Sequence, residues 1–443
     1  MPEPWSVDQI HTLAPDAASL NAAYNLVMRA QWRELGAAEL PSTVLWCSWK
    51  VDTRGATPRQ TCVDVAEPAY QCSCPSRKFP CKHILALLLM WSSKAVTQGG
   101  TPPDWVTEWH ASRQIRAAAE AARIARRAGE KPEPAKAKAA QRRATQRANR
   151  VAAGITELEQ WLENQIQHGI AGMDRGGDAP WDTMAARLVD NQAPALAEAV
   201  RRLADIGGAD REGRLLSELG LLQLLTRAYR RIDTLPETLA ATVRTRVGFP
   251  VATEEVLATP SVRDLWQVIG VRETIENNLR TRRVWLVGRT SGRYALVLSF
   301  GSTVRVAATD LVVGTQIDAD LCFYPGLVPL RALVAARHGA PTVVPEPSPV
   351  VGIRTLLEGY ARALAADPWL TEWPALIAGT VVPGQRWHLV DPAGDALALH
   401  PEAGEPWRLL AASGGHPVTI AVEYGPEGVR PLTYFADGEV FLP

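Results

Sequence analysis

Apolar positions change period several times along this chain. Leu20, Ala23, Tyr24, Val27 and Met28 recur at helical spacing ahead of Trp32, so residues 1–41 read as helical, with Gly36 and Pro41 closing the segment. Val44-Leu45-Trp46-Cys47-Ser48-Trp49 and Thr61-Cys62-Val63-Asp64-Val65 read as strands, joined by a turn-rich stretch with Gly55 and Pro58. The run Ile84-Leu85-Ala86-Leu87-Leu88-Leu89-Met90-Trp91 is apolar all round, as a buried helix is. Ile155, Leu158, Trp161, Leu162 and Ile166 make an amphipathic stripe. Short helices over 183–189, 195–203, 215–232, 237–243 and 261–269 follow it, which predicts a helical domain over 151–278.

The period then shortens. Arg283–Gly288, a turn at Thr290-Ser291-Gly292, and Tyr294–Phe300 read as a β-hairpin, with further strand-like pieces to about Tyr324. A proline-rich linker over 341–349 leads to a helix over 353–365. From Trp373 on, short strands with Gly/Pro turns (387–390, 396–399, 418–424, 432–435) suggest a small β-barrel or sandwich.

Composition changes this picture in one place. The chain is 47% hydrophobic and 21% charged with zero net charge, and its 443 residues exceed one ordinary core. The charge is uneven: residues 111–150 hold twelve Lys/Arg and three Glu, a balance of +9, against −1 for residues 1–110 and −8 for the remainder. Arg113, Arg116, Glu120, Arg123 and Arg127 step by three or four along an alanine-rich helix, Gly129, Pro132 and Pro134 interrupt it, and Lys136 to Arg150 continue the charge. With almost no apolar face to bury, this stretch reads as a solvated linker or a nucleic-acid contact, and the two are compatible. No run of about 18 apolar residues exists, so no membrane span is expected, and Met1-Pro2-Glu3-Pro4-Trp5 is unlike a secretory signal. Six cysteines make no disulfide framework, which fits a reducing cytoplasm; Cys47 and Cys62 read as small apolar residues and Cys322 is isolated.

The chemistry concentrates in Cys72-Ser73-Cys74-Pro75-Ser76-Arg77-Lys78-Phe79-Pro80-Cys81-Lys82-His83. Three thiols and an imidazole in the order C-x-C, six residues, C-x-H supply the four N/S ligands of a closed tetrahedral zinc site. Cys72 and Cys74, two apart on an extended strand, can face one ion. Cys81 and His83 would open the apolar helix, where the helix dipole favours thiolate. A redox dithiol or a lone core cysteine would leave the second pair unexplained. Arg77, Lys78 and Lys82 surround the loop and are candidate phosphate contacts. Phe79 is expected to pack on the zinc knuckle or stack on a base, and Trp46 and Trp49 to enter the core rather than stack on bases.

This constellation, with Tyr70-Gln71 before it and Ile84-Leu85-Ala86-Leu87-Leu88 after it, resembles the bacterial SWIM zinc finger family. Softer matches are Ala185–Pro194, Phe323-Tyr324-Pro325-Gly326 and Ala412-Ser413-Gly414-Gly415. The resemblance implies a ββα zinc finger that binds DNA or protein, with a MoxR-like AAA ATPase and a von Willebrand factor A-type protein as expected partners. The expected fold is α+β and multidomain: residues 1–108 with the finger at about 42–95, a basic alanine-rich linker or exposed helix over 109–150, a mainly helical domain followed by a β-hairpin region over 151–345, and a small β-rich domain over 350–443.

Catalytic signatures are missing. The sequence has no Gly-Lys dipeptide for a Walker A loop, no H-E-x-x-H, no G-x-G-x-x-G and no G-x-S-x-G. Asp318-Ala319-Asp320 reads as a solvated turn, and His388, His400 and His416 lack partners at ligand spacing. The expectation is therefore a cytoplasmic, zinc-containing binding or adaptor protein with no enzymatic activity, holding a nucleic acid or serving as a scaffold.

Overall fold

The computed structural model describes residues 4–29, 32–40, 42–49, 58–66, 68–76, 78–129, 134–169, 179–207, 210–276, 279–302, 311–344 and 346–443. Two short helices, α1 (Val7–His11) and α2 (Ala17–Arg29), precede a four-stranded antiparallel sheet. The sheet runs in the order β1 (Trp32–Leu40), β2 (Ser42–Trp49), β3 (Arg59–Asp64), β4 (Ala69–Cys72). Helix α3 (Lys82–Ser92) lies on one face of it, with every residue from His83 to Trp91 buried. The expected ββα unit is thus β3–β4–α3, enlarged by two further strands.

β1 corrects the helical reading of residues 1–41. Gly36 ends no helix; it sits under the Trp46 ring, where an added Cβ would lie 2.6 Å from the indole. Pairing with β2 fixes this segment in the extended state, Leu40 opposite Ser42 and Trp32 opposite Trp49. Partner pairing outweighs local periodicity here.

The basic segment forms two helices, α4 (Asp104–Gly129) and α5 (Pro134–His168). The start of α4 is docked rather than solvated: Val106 and Trp109 pack with Val44, Trp46 and Cys62 on the face of the sheet opposite α3. In α5 the described side chains from Lys138 to Gln146 are exposed, and burial begins at Val151. There Ile155, Leu158 and Leu162 enter one core with α6 (Ala179–Asp190), α7 (Pro194–Ala204), α8 (Arg211–Arg230) and α9 (Glu237–Val247). Arg147 ties α5 to this bundle by donating to the carbonyls of Gln192 and Gly248 and by lying over Phe249.

After α10 (Thr253–Leu257), the expected helix over 261–269 is instead the first part of β5 (Val262–Glu276). Trp266 shows why. Its ring is fully buried, its Nε1 donates to the Ala319 carbonyl, and the strand pairs with both neighbours, a double pairing that no local signal could specify. The expected hairpin is β6 (Leu279–Gly288) and β7 (Tyr294–Ser302), whose turn is held by the Asp264 carboxylate accepting from the backbone of Thr290 and Ser291. β8 (Thr315–Phe323), β9 (Ala332–Arg337) and β10 (Thr342–Val343) complete a six-stranded sheet. The last of these lies inside the proline-rich stretch expected to be a linker.

α11 (Ile353–Ala366) precedes a second six-stranded antiparallel sheet of β11 (Trp373–Val382), β12 (His388–Val390), β13 (Ala396–Ala398), β14 (Val418–Gly425), β15 (Gly428–Ala436) and β16 (Glu439–Phe441). α11 and α12 (Trp407–Ser413) cover one face. The other face places Leu376, Ala421, Leu432 and Phe435 in the same core as Trp266, Trp285 and Leu321, so the two six-stranded sheets stack as a sandwich. No helix among the described residues is long and apolar enough to cross a membrane.

The seam of this sandwich is ionic as well as apolar. The buried Glu423 carboxylate accepts from Trp285 Nε1 at 2.5 Å and pairs with Arg272 and Arg283, both of which also pair with Glu372. Two cations facing two anions balance, but removing one anion strands charge in a partly dry seam. Glu423→Ala should therefore lower stability by about 2–4 kcal/mol, less than a fully buried pair would because both arginines keep some solvent contact. A denaturant midpoint unchanged from wild type would contradict it.

Candidate metal centre

The four expected ligands converge. Cys72 ends β4, Cys74 follows it on the extended chain, Cys81 is the N-terminal cap of α3, and His83 is in that helix's first turn. Their donor atoms all lie within 4.8 Å of one another. His83 Nδ1 stands 3.7 Å from Cys72 Sγ and 3.8 Å from Cys81 Sγ. A tetrahedral zinc with ordinary Zn–S and Zn–N bonds spaces sulfur and nitrogen by about 3.6 Å, so the donor set fits that ion.

Electrostatics agree. Hydrogen bonding from Cys72, and then Cys81, holds the Cys74 thiol far below the usual thiol range. Cys72 is pushed up by its contact with Cys74, and Cys81 by its contacts with Cys72 and Cys74. Like charges this close disfavour ionising all three sulfurs together. A divalent cation at their centre lets all three ionise, which is the coupling between metal binding and proton release expected of zinc thiolates.

Supporting contacts lock this geometry. At the end of the β3–β4 ladder the Ser73 N–H donates to the Gln60 carbonyl and the Gln60 N–H to the Ser73 side-chain Oγ, while Arg59 donates to the Ser73 carbonyl. Thr61 Oγ1 donates to Cys72 Sγ at 3.1 Å. Phe79 packs edge-on against Tyr70, as expected of a residue on the knuckle. Cys47 and Cys62 are fully buried, and burial pushes both thiols up, so they behave as the small apolar residues expected.

Trp46 is buried core, as expected, but Trp49 has a more particular place. Its ring stacks on the His83 imidazole, with centroids 3.8 Å apart and planes 18° from parallel. The period-2 pattern put Trp49 on a strand; nothing local signalled that pairing across 34 residues would set it on a ligand.

The basic residues of the loop fare differently. Lys78 pairs with Asp16 at 2.7 Å, Lys82 is exposed, and Arg77 lies outside the described residues. A further polar cluster was invisible in the sequence. Ser42 Oγ lies 2.9 Å from His110 Nε2 and donates to Asp64 at 3.0 Å, and Arg113 donates to the same carboxylate at 2.8 Å. This is no nucleophilic relay, because hydroxyl and carboxylate share one face of the imidazole at Nε2 instead of sitting on opposite nitrogens. It fastens α4 to the zinc-bearing sheet.

Asp318 and Asp320 lie in β8 rather than a turn, engaged with Arg263 and His338 respectively. His400 contacts Glu427 and Arg430, while His388 is half-buried in β12 and His416 is exposed. Of the softer segments, 185–194 joins α6 to α7. Phe323–Gly326 begins the β8–β9 turn, and the next residue, Leu327, donates its N–H to Thr242. A cleft of about 230 Å³ opens beside that turn, and its Arg246 and Arg283 are paired with Asp367 and Glu372.

Stacking on a ligating imidazole fixes the ring plane and keeps Nδ1 aimed at the sulfurs, as outer-shell contacts do for metal-bound histidines. Trp49→Ala should weaken zinc affinity by about tenfold while Trp49→Phe holds near wild type, measured by competition with a chromophoric chelator. Equal affinity for all three proteins would assign Trp49 to packing alone.

Residues 62–92 match the SWIM zinc finger family, and residues 146–247 match the SWIM-associated four-helix bundle domain. No curated protein and no solved structure matches the chain. The first match covers the end of β3, then β4 and α3 with all four ligands, and the second covers the buried length of α5 through α9. The chain therefore carries a SWIM zinc finger with a Cys3His site at Cys72, Cys74, Cys81 and His83, followed by the four-helix bundle domain associated with such fingers.

Proposed function

We propose that this protein is a zinc-dependent macromolecular binding module without enzymatic activity, working in the cytoplasm, in which zinc fixes the N-terminal unit and takes no part in a reaction. The observation that carries this reading is the closed donor set. Four protein ligands fill a tetrahedral ion and leave no position for water, whereas catalytic zinc keeps one open. A thiol-rich site without disulfides suits a reducing compartment.

An adaptor role fits the architecture, since a zinc module, a helical bundle and a β-sandwich in one chain present separate surfaces. A MoxR-like AAA ATPase and a von Willebrand factor A-type protein are the partners that the family resemblance suggests. Capture from native cells with and without nuclease distinguishes a protein partner, which survives the digestion, from one held through nucleic acid.

Purified protein should contain one zinc per chain. Structural zinc contributes roughly 10–16 kcal/mol, comparable to or above a domain's net stability of about 5–15 kcal/mol. Cys81→Ala or His83→Ala should thus abolish amide protection in β3, β4 and α3 while β11, β14 and β15 stay protected in hydrogen exchange. Wild-type zinc content in Cys81→Ala would refute the ligand assignment.

A further inference from the structure

The cations of residues 109–150 are not equivalent in the folded protein. Arg113 is committed to Asp64 and Trp109, and Arg147 to the bundle carbonyls and Phe249. Lys138, Arg142, Arg143 and Arg150 are exposed and make no ion pair among the described residues. They belong to a stretch, Pro134–Arg150, with six Lys/Arg and no Asp or Glu. At about 100° per residue Lys138 and Arg142 lie roughly 40° apart and Arg143 and Arg150 roughly 20° apart, so the four share a face of α5 about 140° wide that spans about 18 Å at the helical rise.

We propose that this N-terminal half of α5, rather than the zinc loop, is a contact surface for the phosphate backbone of a nucleic acid. The inference deepens the binding-module reading by naming its partner. Two arguments select that partner. Affinity for a protein centres on large apolar or aromatic anchors in dry pockets, and Pro134–Arg150 offers none beyond alanine methyls and one proline. What it offers is dense positive charge along one helix, the complement of a duplex carrying roughly one negative charge per 1.7 Å of axis. The zinc loop is the poorer candidate, since its Lys78 is already shared with Asp16. Contacts of this kind set position and not sequence, so binding should be indifferent to base order.

The test uses full-length, zinc-loaded protein and a labelled random-sequence DNA duplex, with an RNA counterpart, followed by fluorescence anisotropy across a salt series. Glutamine retains helix propensity close to that of Lys and Arg, so Lys138→Gln/Arg142→Gln/Arg143→Gln/Arg150→Gln should keep wild-type zinc content and helicity. Its plot of log affinity against log salt should flatten by about 3–4, near 0.9 for each phosphate contact removed. Lys78→Gln/Lys82→Gln should retain wild-type affinity and slope. No binding at the lowest salt, equal binding by the quadruple variant, or loss confined to the zinc-loop variant would overturn the proposal. So would an acidic polypeptide that binds this helix when neither nucleic acid does, which would give the surface to a protein. Zinc content and exchange in Cys81→Ala bear on the module reading alone, so the two can fail separately.

Discussion

A helix buried on every side cannot orient itself. α3 has no polar face from His83 to Trp91, so apolar burial alone leaves its rotation and its axial position against the sheet unspecified. The four converging donors supply the missing constraint. Two come from the end of β4, two from the mouth of α3, and one ion between them sets distance, direction and phase together. Trp5, Ile10 and Leu13 from the N-terminus pack into the core that the orientation of α3 defines. Val312, from the segment leading into β8, joins that same core, so the constraint extends to the β-sandwich.

The bodies are joined by bonds that demand exact placement. Gln9 Nε2 donates to the buried carbonyl of Val313, and Arg282 reaches the carbonyl of Thr12. The bundle meets the C-terminal sheet through Arg246 with Asp367, Arg214 with Glu427, and Trp369 Nε1 with the Leu221 carbonyl. Apolar contact tolerates sliding, but a buried donor that slips off its acceptor loses its hydrogen bond and keeps its desolvation cost. Among the described residues, the Nε and Nη2 of buried Arg282 find no partner.

What could be read from the sequence follows from how local each interaction is. The zinc ligands lie within twelve residues, so spacing alone identified them, and the uniformly apolar run after them identified α3. The amphipathic stripe of α5 was equally legible, although Ile166, its last member, is exposed. β1 and the start of β5 were misread because their conformations depend on partners: Gly36 needs the Trp46 ring, and Trp266 needs Ala319. The Ser42–Asp64–His110 contact and the Trp49–His83 stack join positions 22 to 68 residues apart, or 34, and left no local trace. The shared core of the two large sheets escaped for a related reason: alternation marks which residues face inward and is silent on what they face.

α5 is one continuous helix with two mechanical regimes. Its C-terminal half is clamped in the bundle, no described side chain before Arg147 enters a core, and Arg147 pins the boundary to Gln192 and Gly248. Such a helix is a lever with its fulcrum at Arg147. The arm from Arg147 back to Pro134 spans about 20 Å, so a tilt of about 10° at the fulcrum moves its tip by roughly 3.5 Å. Because the helix bends little, a load at the tip is delivered as torque on α7 and on the α9 C-terminus rather than dissipated along the way. Whatever engages the arm is thereby coupled to the bundle, and through Arg246 and Asp367 to the sandwich beyond it.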